Sequence, residues 1–201
     1  MKKINYYSAN IILGLIVSIF SFVVFSLTVE PTASYWDCAE YISTSAKLQV
    51  GHPPGAPLFQ MLGAIFSTFA FESDQIALSI NMMSVSSSAL TILFLFWSIS
   101  HLVKQIVSKN QNISLTESFK IFGSSSLGAL TFTFTDSFWY NAVEAEVYAM
   151  ASLILSLLFW LGLKWTEDLD KTRGDKWLIL ISFVIGLSFG VHFMGLLAIP
   201  A

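Results

Sequence analysis

Long apolar runs separated by short polar interruptions pattern this chain from end to end. The first run, about Ser8 to Thr28, is uncharged and long enough to cross a bilayer, which takes ~20 residues. Tyr35 to Val50 is helix-compatible and of mixed polarity, with Tyr35, Trp36 and Tyr41 near its start. Aromatic rings of that kind suit a membrane–water boundary, so this stretch reads as a helix lying along the surface. Gly51-His-Pro-Pro-Gly55 must end it, because consecutive prolines cannot continue a helix and restrict the residue before them. Ala56 to Phe71 is apolar but only sixteen residues long, which predicts a second juxtamembrane or re-entrant helix rather than a crossing.

After Glu72-Ser-Asp74, the segment from Ile76 to about Ile106 predicts span two, with Asn81 and the Ser84–Ser88 cluster as helix-to-helix contacts. Lys104 to Glu117 reads as a loop. Phe119–Thr135 is span three, Asp136–Asn141 an aromatic-rich turn, and Val143–Leu163 span four. Lys164–Lys176 is a loop with four basic and four acidic residues, and Trp177–Pro200 is span five. The expectation is an all-α integral membrane protein of about five transmembrane helices, with two juxtamembrane helices in its first non-cytoplasmic loop. The chain stops one residue after a helix end, so residues 1–201 are expected to be the N-terminal transmembrane part of a longer polytopic protein.

Composition sharpens this picture. The chain is 55% hydrophobic and 11% charged, with a mean hydropathy of +0.70. A soluble domain of this size could not cover its surface with so few charges. Met1-Lys2-Lys3 before an apolar run has the look of a signal peptide, but the run is long, a small-residue cleavage site is poorly formed, and more spans follow, which favours an uncleaved first span. The single cysteine, Cys38, excludes an internal disulfide.

Charge then orients the chain. With five spans, nine of the ten basic residues fall on one side (Lys2, Lys3, Lys104, Lys109, Lys120, Lys164, Lys171, Arg173, Lys176), and only Lys47 on the other. The basic side is expected to be cytoplasmic. That places a multi-pass protein in the inner (plasma) membrane, with its N-terminus in the cytoplasm and its first loop in the periplasm. Asn112-Ile-Ser114 fits a glycosylation acceptor pattern but falls on the cytoplasmic side and is discounted. No basic patch suggests nucleic acid as a partner.

Polar chemistry concentrates in the first loop. Asp37 and Glu40 are three apart, which on a helix puts both carboxylates on one face. Such a pair can divide into a base and a hydroxyl-binding group, or be simply solvated. His52 can donate to a phosphate or to Asp37, or only cap a helix end. Glu144 and Glu146 flank Ala145 at the expected start of span four; two apart on a helix they point to different faces. One would complement the helix dipole and the other face the site, with Asp136 and Tyr148 nearby. His192 falls within span five, as a functional group or as a neutral helix-to-helix contact. His101 reads as interfacial and Cys38 as a packing residue. No Cys/His metal-ligand spacing and no glycine-rich phosphate loop is present.

Two blocks carry a resemblance: Tyr35-Trp-Asp37-Cys-Ala-Glu40-Tyr, and Gly51-His52-Pro53-Pro54-Gly55-Ala-Pro57-Leu58-Phe59. Together they resemble the opening motif of a bacterial multispan family related to the animal protein O-mannosyltransferases. Ala142-Val-Glu144-Ala-Glu146-Val-Tyr148 is similar to that family's second motif. The resemblance extends to the C-type glycosyltransferases, which use lipid-linked sugar donors. It implies an inverting enzyme that moves a sugar, mannose by family, from a polyprenyl-phosphate carrier to Ser or Thr hydroxyls of exported proteins. Its partners would be membrane lipid, the lipid-linked donor and a protein acceptor, with no organic cofactor; a need for a divalent metal is left open. By the same resemblance Asp37 is the general base and Glu40 orients the acceptor or a sugar hydroxyl. His52 sits near the donor phosphate, and Glu144 or Glu146 lines the cavity. Tyr148 and His192 are assigned to the substrate site from their positions in the chain. Two other classes fit the polar residues without the resemblance: a transporter component using Asp37, Glu40, Glu144 and His192 as an ion path, and a non-catalytic assembly protein.

Overall fold

A computed structural model describes residues 4–172 and 174–198. Lys2, Lys3, Arg173 and Pro200, which the orientation count and the end of span five draw on, lie outside the described residues. The architecture is helical. Helix α1 spans Tyr6–Leu27, α2 Cys38–Lys47, α3 Pro57–Ser67, α4 Ile76–Val107, α5 Leu115–Thr133, α6 Asp136–Ala142, α7 Val147–Glu167 and α8 Asp175–Ser188. Short 3-10 turns cover Ser73–Gln75 and Phe193–Ala198.

One departure from the all-α expectation is a two-residue antiparallel pair, β1 (Ile4–Asn5) against β2 (Asn112–Ile113). It lies in what reads as a plain loop. Ser114, the third residue of the glycosylation-like pattern, is instead the N-cap of α5, forming a reciprocal capping box with Glu117.

Three helices are long and apolar enough to cross a membrane: α1, α4 with its preceding turn, and α7. The remaining two expected spans exist as helices but fall short of that mark. Helix α5 runs beside α1 for its full length, yet Glu117, Lys120 and three consecutive serines dilute its apolar character. Helix α8 has only 14 residues and ends at Ser188. As expected, α2 and α3 are short helices between the first two long ones, and α3, at 11 residues, cannot cross.

Helix α4 is the central post. At 32 residues it measures ~48 Å, longer than a ~30 Å hydrocarbon layer. Helices α1, α5, α7 and α3 all pack on it. Small residues make the close contacts. Ser18 of α1 donates to the Ala89 carbonyl of α4 at 2.7 Å, and Ser21 meets Thr133 of α5 at 3.0 Å. Ser84, Ser87 and Ser88 are buried on α4, as expected of serines between helices.

The chain direction gives the bundle two chemically distinct ends. The start of α1 meets the end of α4 through Tyr6 and Ser100 (3.2 Å), and the end of α4 meets the end of α7 through His101 and Glu167 (3.2 Å). At the other end the chain after α1 is tied to the start of α4 and to the turn before α7. All the described lysines except Lys47 belong to elements at the first end, together with Glu117, Glu167, Asp168, Asp170 and Asp175, whereas the other eight acidic residues lie at the second.

Candidate active site at the acidic end

The loop after α1 is pinned before it reaches any chemistry. Asn81, fully buried on α4, donates through Nδ2 to the carbonyls of Glu30 (2.6 Å) and Thr32 (2.9 Å). The Glu30 N–H donates to the Val143 carbonyl at 2.9 Å. Ser34 donates a short hydrogen bond to Glu144 Oε2. These ties hold the loop against the segment that precedes α7.

Trp36 then takes a left-handed conformation (φ 61°) and Asp37 becomes the N-cap of α2. Aspartate at this position usually accepts a hydrogen bond from its own helix. Here its side chain makes no such bond, so the carboxylate stays available and half-exposed. Asp37 is thus a cap and Glu40 a first-turn residue, and the three-residue spacing still brings both carboxylates to one place. That place is His52. Its backbone N–H donates to Glu40 Oε1 at 2.6 Å, its Nδ1 lies 3.1 Å from Glu40 Oε2, and its Nε2 lies 3.8 Å from Asp37 Oδ2. His52 therefore does more than end a helix: it bridges the two acids.

The turn that presents His52 is specified locally. Gly55 has φ +91° and donates its N–H to the His52 carbonyl at 2.8 Å. At Gly51 a Cβ would come within 2.6 Å of Gln60 Nε2 and 3.2 Å of Glu40 Oε1, so a larger residue would require those two side-chain ends to shift. Tyr41 stacks its ring near His52 (6.0 Å) and edge-on to Phe59 (5.1 Å), joining α2, the turn and α3.

The hydrogen bonds at Glu40, led by the His52 N–H, hold its carboxyl below the usual range. The second pair of acids behaves oppositely. Glu144 and Glu146 are not on a helix; they lie in the bend between α6 and α7, where the Glu146 N–H donates to the Glu144 carbonyl at 2.9 Å. Both are buried, which replaces the expected split to two faces. The Val143 carbonyl, spent on the Glu30 N–H, marks where α6 stops, so the helix starts four residues later than its apolar run suggests. Burial first, then the charge of Asp37 and of Glu144, pushes Glu146 up to about 7. Its Oε1 has no hydrogen-bond partner among the described residues. Burial also raises Glu144, against the donation from Ser34. Tyr41 is pushed up to about 12 by burial and by Glu146.

Tyr148 and His192 form a further wall, their rings 5.3 Å apart. His192 is not inside a helix. Helix α8 ends at Ser188, and the Gly190 carbonyl instead accepts the N–H groups of Leu58 (2.7 Å) and Phe59 (3.3 Å) at the start of α3. A Cβ on Gly190 would meet Leu58 Cβ at 2.8 Å. The break in the helix serves this docking, and it brings His192 beside Tyr148. His101 lies at the opposite end, buried rather than interfacial, between Glu167 and Gln105. Cys38 is fully buried, as expected of a packing residue.

Asp37, Glu40 and His52 each offer one oxygen or nitrogen atom within 4.8 Å of the others. Two carboxylates and one imidazole could serve a divalent ion. No Cys/His spacing announces that set, because its members come from a helix start and a separate turn. No local pattern singles out Ser34 as the partner of Glu144, and Gly51 reads only as part of the turn that ends α2. A lone amide within an apolar run was the one available signal for Asn81 as an anchor.

What fold and site define together is a helical membrane protein with four carboxylates and a bridging histidine gathered at one end of its bundle. The chain belongs to the family described as the protein O-mannosyl-transferase TMEM260 N-terminal domain, whose model matches residues 37–201. It is similar to the protein O-mannosyl-transferase tmem260 of Dictyostelium discoideum, with 28% identity over 146 residues, 72% of this chain and 16% of the relative. It is also similar to the protein O-mannosyl-transferase TMEM260 of Mus musculus, with 27% identity over 168 residues, 82% of this chain and 21% of the relative. The chain thus spans about a fifth or less of the length of these curated relatives. No solved structure matches it.

Proposed function

We propose that this chain is the N-terminal membrane part of an inverting glycosyltransferase that moves mannose from a polyprenyl-phosphate donor to Ser or Thr hydroxyls of exported proteins. The observation that carries the reading is the uncapped Asp37 carboxylate, free of its own helix and held beside a histidine that Glu40 anchors. The family membership supports the mannosyl class.

Asp37 accepts the proton of the acceptor hydroxyl as its oxygen attacks the anomeric carbon. The bond from that carbon to the carrier phosphate breaks, and the phosphate leaves with the electron pair. A positioned base of this kind contributes roughly 10²–10⁴-fold. Glu40 fixes the His52 ring and with it the edge of the cleft, and the Nε2 side of His52 is the group nearest to where a leaving phosphate would gather charge. Glu146, buried beside Asp37, provides the cleft floor, and Tyr148 and His192 flank the substrate. Lys47 is the only described lysine or arginine at this end, so donors in the rest of the full-length protein would complete stabilisation of the phosphate. The cleft would face the periplasm, with the lysine-bearing end in the cytoplasm.

Product stereochemistry tests this reading. Full-length protein supplied with polyprenyl-phosphate mannose and a Ser/Thr peptide should yield mannosyl peptide with inverted anomeric configuration by NMR. Retained configuration, or transfer only from a nucleotide sugar, would contradict it.

A further inference from the structure

At the end of the bundle opposite the acidic cleft lies a cavity of about 290 Å³ between α1, α4 and α7. Tyr6, Tyr7, Trp97 and Trp160 form its walls, and Asn10, His101 and Lys164 its polar groups. The polar side is built. The backbone carbonyl of Asn10 accepts from Trp97 Nε1 at 3.2 Å and its side-chain oxygen accepts from Ser100 at 2.6 Å. His101 is buried and held by Glu167 and Gln105.

Lys164 lines this space, and Lys104 lies against the two tyrosine rings that wall it. Lys164 Nζ is 2.6 Å from Glu167 Oε2 and 6.0 Å from the Trp160 ring centre. Lys104 Nζ lies 4.4 Å over the Tyr6 ring and 5.6 Å from that of Tyr7. Among the described residues no carboxylate lies within ion-pair distance of Lys104. Glu167 pairs with Lys164 and His101 and not with Lys104, which leaves the Lys104 charge unmatched beside an aromatic-walled site. Ile11 also lines the cavity. From it the apolar face of α1 continues outward through Ile12, Leu15, Ile16 and Ile19, all exposed.

We propose that this cavity binds the headgroup of an anionic glycerophospholipid, with the phosphodiester between Lys104 and Lys164 and an acyl chain along the exposed face of α1. A monoanionic headgroup matches the residual charge and a zwitterionic one does not. The aromatic rings suit the headgroup level of a bilayer, and basic pockets between membrane helices are suited to such lipids. The assignment does not depend on the chemistry at the acidic end.

Native mass spectrometry of the full-length protein in mixed micelles tests it, with phosphatidylglycerol and phosphatidylcholine as probes. With one unmatched positive charge, wild type should retain phosphatidylglycerol about fivefold better than phosphatidylcholine. The pair Lys104→Gln and Lys164→Gln should abolish that preference with unchanged circular dichroism, while Lys164→Arg keeps it. Lys109→Gln, an exposed lysine outside the cavity, should also leave it intact. Equal retention of the two lipids by wild type, or an equal loss with Lys109→Gln, would overturn the proposal. So would displacement of phosphatidylglycerol by millimolar glycerol 3-phosphate, which would assign the cavity to soluble phosphoesters.

Discussion

Among single residues, the sharpest contrast is between Glu40 and Glu146. Glu40 is ionised and anchored; Glu146 is buried, half-satisfied and raised to about 7. The consequence for stability has a definite sign. Between about 4.5, its ordinary value, and about 7 the folded protein binds more protons than the unfolded chain. Stability therefore falls as pH rises through that window, by roughly 3 kcal/mol at most. Glu146→Gln, which imitates the protonated form, should flatten the decline. Melting midpoints of both proteins from pH 4 to 8 check this, and parallel curves would refute it. Glu40→Gln leaves one acceptor oxygen where the His52 ring and amide now use two, and should lower transfer about tenfold or more by freeing the turn, with KM rising more than kcat falls.

The meeting of Asp37, Glu40 and His52 was legible in the sequence because short spacing and a proline-rich turn announce it. The partner of His101 was not. A histidine at the end of an apolar run looks interfacial, and Glu167 is 66 positions away (167 − 101). No local pattern carries a contact of that kind.

Helices and turns followed the apolar pattern where it was strong. Helix α4 begins and ends within a residue of expectation. Where tertiary contacts spend backbone groups the pattern failed. The apolar run across Val143 conceals a bend made by the Glu30–Val143 hydrogen bond, and the run through Gly190 conceals a break made by docking of α3. The crossing of α2 over α3 is equally specific. At Gly63 a Cβ would meet Ser45 Oγ at 2.6 Å and Ser45 Cβ at 2.8 Å. Gly63→Ala should force these helices apart, costing about 1–3 kcal/mol, and loosen the His52–Glu40 contact. Thermal unfolding measures the first effect; an unchanged midpoint would mean the crossing is slack.

For the whole molecule, the gathering of every described lysine but Lys47 at one end predicts one orientation. Cys38 is buried, so introduced cysteines can be read without background. A membrane-impermeant maleimide added to intact cells should label Tyr35→Cys and leave Lys109→Cys untouched until the cells are opened. The reverse pattern would put the acidic cleft in the cytoplasm and remove its access to exported acceptors. Length and apolarity identify three crossing helices, whereas charge counting needs five. The difference rests on α5, which Glu117, Lys120 and three serines make less apolar, and on α8, which has only 14 residues.

The most direct test is Asp37→Asn in the full-length protein. This change keeps the size of the side chain and removes only its basicity. Mannose transfer from polyprenyl-phosphate mannose to a peptide should fall by roughly 10²–10⁴-fold, while expression, melting midpoint and donor binding stay at wild-type values. Transfer within a fewfold of wild type would contradict the assignment of Asp37 as the base.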